Sequence, residues 1–167
     1  MGSSPLLTTD FLNYFKTLNL KSKILLEIGS GSSTLYWSSY FKKIYSYEND
    51  IKVYRQCIAT CPDNVSFFHY NKNIFNTPRG FINHIKEADY IIIDNNPRYI
   101  DRFDFAQFVK EYKKPSSSIV LDNGNWNQGA YRYLFKYFYC RDFPGLSYEP
   151  GALYNKSTVT TLFFKAR

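Results

Sequence analysis

Short apolar runs alternate with segments of helical periodicity along most of the chain. Leu7, Phe11, Phe15 and Leu18 recur at helical spacing, which predicts an N-terminal helix, capped by Thr9 or Asp10, lying over a sheet. Strands are predicted at 23–28, 43–48, 65–70, 90–93 and 118–121, and helices at 33–41, 50–60, 79–87, 100–113 and 127–139. Ile91-Ile92-Ile93 shows no polar alternation, as expected of a strand buried on both faces of a parallel sheet. The tail changes rhythm, with two longer strand-like runs, Tyr139 to Tyr148 and Thr158 to Lys165, separated by Pro150-Gly151 and a polar loop. The pattern predicts an α/β architecture, a doubly wound, mostly parallel sheet that ends in an antiparallel hairpin between helical layers. Residues 1–167 form one domain in this reading, with 1–20 as the helix that packs on the sheet.

Within that rhythm the first strand runs into Gly29-Ser30-Gly31 and the second closes on Glu48. Glycines after a first strand let the backbone turn tightly and approach a ligand. An acidic side chain ending the next strand stands where ribose hydroxyls are gripped. The dinucleotide fingerprint asks for a third glycine three residues after the second. That position is Thr34, and Glu27 stands just ahead of the loop, where it would repel a pyrophosphate and suit a cationic ligand.

Glu27-Ile28-Gly29-Ser30-Gly31-Ser32 resembles the first motif, acid-x-Gly-x-Gly-x, of the Rossmann-like class I S-adenosylmethionine-dependent methyltransferases. The strand and helix rhythm extends the likeness along the chain, but only this motif and Glu48 are specific. The resemblance implies S-adenosylmethionine as cofactor and a cofactor site made of Glu27, Gly29, Ser30, Gly31, Ser33, Glu48, Asn49, Asn71 and Asp94. Asn71 replaces the acid that the family often has after its third strand.

The carboxyl ends of strands four and five, where ligands lie in open α/β sheets, carry Asp94 and Asp122-Asn123. This trio resembles the metal set of catechol O-methyltransferase-type enzymes, which implies Mg²⁺ polarising an acceptor hydroxyl. The departures are Pro97 where that family has a lysine and the missing N-terminal helical cap. The metal-free version is therefore preferred, with Asp94, Asp122 and Asn123 orienting the acceptor and Arg98 clamping an anionic one. Asn96-Pro97 is a poor match to the motif of amino-methylating enzymes. Asp and Asn also cap helices and shape turns, which is their ordinary structural role.

Composition narrows the classes. Hydrophobic residues make up 44% of the 167 and charged residues 21%, a globular balance. No run approaches a membrane span and no leader pattern is evident, so a cytoplasmic protein without membrane association is expected. Cys57, Cys61 and Cys140 form neither a disulfide set nor a metal pattern, so reduced thiols are expected. The net charge of +7 suits an anionic partner, but the basic residues are scattered, which disfavours nucleic acid against a small or anionic substrate. Tyr131, Leu134, Phe135 and Phe138 share one face of the last predicted helix, and Arg132 and Lys136 another. That is an amphipathic packing helix rather than a base-stacking platform. His69 and His84 are read as structural.

Methyl transfer to a small or anionic acceptor is the expected function. The alternative is a nucleotide-binding or assembly subunit without catalysis, suggested by 16 Tyr and 15 Phe, since exposed aromatics favour interfaces. A dehydrogenase would need a separate substrate domain.

Overall fold

In the computed structural model, residues 5–70, 80–95, 102–147 and 156–166 are described. The strands are β1 (Ile24–Ile28), β2 (Lys43–Glu48), β3 (Val65–His69), β4 (Tyr90–Ile93), β5 (Ser118–Leu121), β6 (Phe138–Ser147) and β7 (Lys156–Ala166). The helices are α1 (Thr9–Lys16), α2 (Ser32–Ser38), α3 (Ile51–Ala59), α4 (Phe81–Glu87), α5 (Arg102–Tyr112) and α6 (Gln128–Phe135). They form one seven-stranded sheet in the order β3-β2-β1-β4-β5-β7-β6. β1 to β5 pair in parallel. β7 runs antiparallel to both β5 and β6, wedged between them, so the predicted hairpin supplies the antiparallel pairs.

Successive residues of the central strands point to opposite faces, and both faces are dry. Leu26, Ile28, Ile91, Ile93, Ile119 and Leu121 join Phe105 and Leu134 in one core. Leu25, Ile92 and Val120 join Phe11, Phe15 and Trp37 in the other. This double burial is why the strands read as unbroken apolar runs.

Two local expectations are corrected. The N-cap of α1 is Thr8, not Thr9 or Asp10, and its backbone N–H donates to Thr160 Oγ1 at 3.1 Å. α6 stops at Phe135, because Phe138 pairs with Ala166 at the start of β6. Phe135 is consequently exposed, while Ala130 and Leu134 carry the buried face of the helix. His84 behaves as a structural residue, stacked on Tyr45 with ring centroids 3.7 Å apart and bonded to the Tyr47 hydroxyl at 2.7 Å. The three cysteines are free thiols. Among the described residues no helix is long and apolar enough to cross a membrane.

Candidate functional site

β1 lies between β2 and β4, so the crossovers reverse direction there, and the crevice beyond such a switch point is the ligand site of open α/β sheets. A cavity of about 630 Å³ opens at this place, within the size range of small-molecule sites. Gly29 is at its floor with φ +98°, a conformation that L side chains rarely adopt. A Cβ there would press on the Asp94 carbonyl, 2.6 Å from its carbon and 2.8 Å from Asn95 Cα. A Cβ at Gly31 would meet nothing within 4 Å, and this glycine faces the open cavity.

Glu48 ends β2 at 6% exposure, with Oε2 accepting from Ser30 N at 2.8 Å. Its Oε1 accepts from the backbone N–H groups of Asn49 and Asp50 at 2.8 and 2.7 Å. Burial pushes its pKa up and the three amides pull it back. A carboxylate offers about four acceptor positions, so one remains, on Oε2, toward the cavity. The loop amides take the other acceptor positions of Glu48. Beside it, Asn49 Oδ1 is buried without a hydrogen-bond partner among the described residues. Asp50 caps α3, accepting from Lys52 N at 2.7 Å, and also lines the wall.

Glu27 sits beneath the loop rather than in the cavity wall. Ser33 Oγ donates to its Oε1 at 2.6 Å, and Thr34 and Ser46 donate to Oε2 at 2.5 and 2.9 Å. With the Ser46 proton committed to Glu27, Ser30 donates to Ser46 Oγ at 2.6 Å. Desolvation pushes the Glu27 pKa up to about 7 against these hydroxyls, with Asp94 adding repulsion. Glu27 shapes the loop through Ser33 and Thr34 directly and through Ser30 by way of Ser46, since its oxygens are spent on the Ser33, Thr34 and Ser46 hydroxyls.

At the other end, Arg102 opens α5 and turns inward at 4% exposure. Its Nη2 donates to Asp94 Oδ1 at 2.9 Å and its Nε to the Asn95 carbonyl at 3.1 Å. Nη1 donates to the Asp122 carbonyl and lies 3.8 Å from Asp122 Oδ2. Asp122 Oδ1 accepts from Thr160 Oγ1 at 3.2 Å. The Asp94 side chain keeps 26% of its surface exposed, that of Asp122 only 3%. Both carboxyls titrate high, chiefly because they are desolvated, with the Arg102 guanidinium pulling each back. Asp122 is pushed well above the ordinary carboxylate range by burial and then by the neighbouring Asp94 charge.

Asp94 and Asp122 thus hold a guanidinium between them. Mg²⁺ binds oxygens at about 2.1 Å in a near-octahedral shell, and Arg102 already stands against both carboxylates. Asn123 turns its amide nitrogen to Thr158 Oγ1 at 2.8 Å. Among the described residues no group of three or more His, Cys, Asp or Glu is placed to hold a metal ion.

No family model matches the chain, and no curated protein does. Solved structures do. A methyltransferase from Pyrococcus furiosus is 19% identical, with 96% of this chain and 84% of that one covered and a TM-score of 0.60. An rRNA methylase from Streptococcus thermophilus is 10% identical, covering 92% and 93% at a TM-score of 0.61. The O-methyltransferase TomG from Streptomyces achromogenes, solved in complex with SAM, is 14% identical, covering 95% and 79% at 0.62. The fold is that of the class I S-adenosylmethionine-dependent methyltransferases.

On this methyltransferase fold, Gly29, Ser30, Gly31, Ser33, Glu48, Asn49, Asp94, Asp122 and Asn123 meet around one cavity. Asn71 and Arg98 lie outside the described residues. Sequence reading passed over Arg102, Trp126, Asn127 and Leu6, which also line the cavity. Arg102 stands in the first turn of α5, eight residues after Asp94 in sequence, and nothing in the apolar pattern distinguishes it from a solvent-facing arginine.

Proposed function

We propose that this chain is an S-adenosylmethionine-dependent methyltransferase. The observation that carries the reading is the switch-point crevice, in which Gly29 packs on the backbone of Asp94 while Glu48, tied by three amides, keeps one acceptor position open. The residues suit the cofactor. Glu48 Oε2 and the orphaned Asn49 Oδ1 accept ribose hydroxyls, the bare Gly31 leaves room for the chain that follows, and Ser30 and Ser33 are held in place by the Glu27 cluster. When bound, the cofactor supplies a methyl group already activated on a sulfonium. The protein's part is then alignment in a dry crevice more than covalent help.

On the acceptor side, Asp94 accepts a hydrogen bond from the group to be methylated and takes its proton, and Arg102 fixes the rotamer of Asp94 through Nη2. Asp122 buttresses Asp94 through their shared partner Arg102. Asn123, with φ +51°, shapes the loop that carries the wall past β5. No step runs through Mg²⁺. Calorimetry with S-adenosylhomocysteine tests the reading. Micromolar binding is expected; binding no tighter than millimolar, with NAD binding well, would replace it with a dinucleotide-binding domain.

A further inference from the structure

Helical crossovers between parallel strands return every helix-to-strand connection to one end of the sheet, opposite the crevice. Lysines that are scattered in sequence meet at that end. Lys23 leads into β1 and Lys42 into β2, Lys86 stands in the last turn of α4, and Lys136 leads into β6. Lys165 joins them, because β7 runs antiparallel to β5 and finishes beside its start. Lys42, Lys86, Lys136 and Lys165 are exposed, and Lys23 is half-buried. Helix C-termini favour cations, which accounts for Lys86 and Lys136, but Lys23, Lys42 and Lys165 stand outside the helices. Two acids of this end are engaged: Asp89 pairs with Lys114 at 2.9 Å, and Glu87 accepts from the Tyr45 hydroxyl at 2.6 Å. Asp63 stands beyond the row, at the β3 edge. With about 4.8 Å between neighbouring strands, the row from β2 to β6 is about 24 Å long.

A recess of about 300 Å³ opens beside this row, between the end of α1 and the sheet. Tyr90 and Ser118, the first residues of β4 and β5, line it and fix its position at the basic end. Tyr14 and Phe164 give it aromatic walls, Phe164 being 39% exposed and next in sequence to Lys165. Arg141 also lines it, with Cζ 4.9 Å from the centroid of the Tyr14 ring. Aromatic rings and guanidinium planes are the surfaces on which unstacked bases lie, and lysines beside them receive the phosphates. An anionic membrane would call for apolar side chains that protrude into it, whereas these line a hollow.

We propose that this end of the sheet is a docking surface for single-stranded nucleic acid, with phosphates along the lysine row and one base seated among Phe164, Tyr14 and Arg141. The surface is separate from the crevice at the carboxyl ends of the strands, and it does not rest on the methyltransferase reading. The scatter of basic residues in sequence, which spoke against nucleic acid, is undone by the crossovers that bring them together.

The test follows the fluorescence anisotropy of a labelled oligouridine of about 12 nucleotides with the intact chain. Micromolar binding is expected at about 50 mM salt, falling about fifty-fold by 200 mM, as neutralisation of about four phosphates on a single strand requires. Lys42→Glu combined with Lys165→Glu should weaken binding and flatten the salt dependence. Phe164→Ala should weaken it about tenfold at an unchanged salt slope, the scale of one lost base stack. Saturating S-adenosylhomocysteine should leave the affinity unchanged. Binding no tighter than millimolar, or indifference to either variant, would overturn the proposal. So would competition by S-adenosylhomocysteine, which would put the strand at the crevice, or equal affinity for a duplex, whose paired bases cannot enter the recess. Tighter attachment to phosphatidylserine vesicles than to the oligonucleotide would make the surface a membrane contact instead.

Discussion

The two glycines of the loop do different work, and substitution separates them. Gly29 combines a φ of +98° with backbone atoms of Asp94 and Asn95 where a Cβ would go. Gly29→Ala should therefore cost roughly 2–4 kcal/mol of stability, as strain and overpacking add, seen as an earlier urea midpoint. At Gly31 the space is open, so Gly31→Val should shift stability by no more than about 0.5 kcal/mol and still abolish S-adenosylhomocysteine binding in calorimetry. A third residue, Glu27, gives a pH signature. Its folded-state pKa of about 7 lies above the ordinary 4.5. Between those values the folded protein keeps a proton that the unfolded chain has lost, so stability falls as pH rises through that window and levels off above it. The loss is on the order of 3 kcal/mol at one pKa unit per ~1.4 kcal/mol. Asp94 is the charged neighbour that adds to it. Glu27→Gln keeps an acceptor for the hydroxyls and removes the titration. Urea unfolding at pH 5 and pH 8 should then differ less for the variant than for the wild type. An unchanged difference would mean that Glu27 titrates as an ordinary carboxyl.

At the scale of elements, the strands were legible because the central ones bury both faces, and Asp94 and Asp122 were legible because they close strands. What they do was not. Their partner reaches back from the first turn of α5, and only the pairing of β4 with β5 brings the two carboxyls together. Periodicity carries no information about such a meeting, so the trio read as groups orienting an acceptor, with a metal as the alternative, and Arg102 did not enter. The last helix was overrun for a related reason. Phe138 continues the helical spacing of Leu134 and Tyr131, but its pairing with Ala166 puts it in β6. The sequence periodicity is the same in both cases, and the tertiary partner decides. The Arg102 cluster has a measurable consequence. Arg102→Ala leaves two buried carboxyls without their countercharge, a change of about 3–5 kcal/mol for one partner of a buried pair. Adding Asp122→Asn to that variant should recover part of the loss in denaturant titrations, and full additivity would show that the two groups are not coupled. Methyl transfer, once an acceptor is in hand, should be indifferent to chelator, since a guanidinium stands against the carboxylates.

Across the whole molecule, the N-terminal segment is fastened to the crevice through one hydroxyl. Thr160, fully buried on β7, accepts from the Thr8 backbone N–H and donates to Asp122 Oδ1. Thr8 in turn lies against β6, where a Cβ on Gly145 would come within 3.0 Å of its Cβ. Helix α1 is clamped on the same side by Phe11 edge-on to Phe143, ring centroids 5.4 Å apart. Leu6, two residues before the cap, is thereby set at the cavity rim. The segment that reads in sequence as a packing helix is thus also part of the wall, joined to the acceptor-side carboxyl by hydrogen bonds that span 152 and 38 residues. Thr160→Val keeps the shape of the side chain and removes both bonds, leaving the Thr8 amide buried without its acceptor. Such an orphaned donor costs about 1–3 kcal/mol. Thr160→Ser should restore most of it, because the hydroxyl rather than the methyl makes the connection. Urea unfolding of the two variants checks this: the Thr160→Ser midpoint should lie near that of the wild type and the Thr160→Val midpoint well below it, and equal midpoints for the two variants would mean that the hydroxyl does not make the connection.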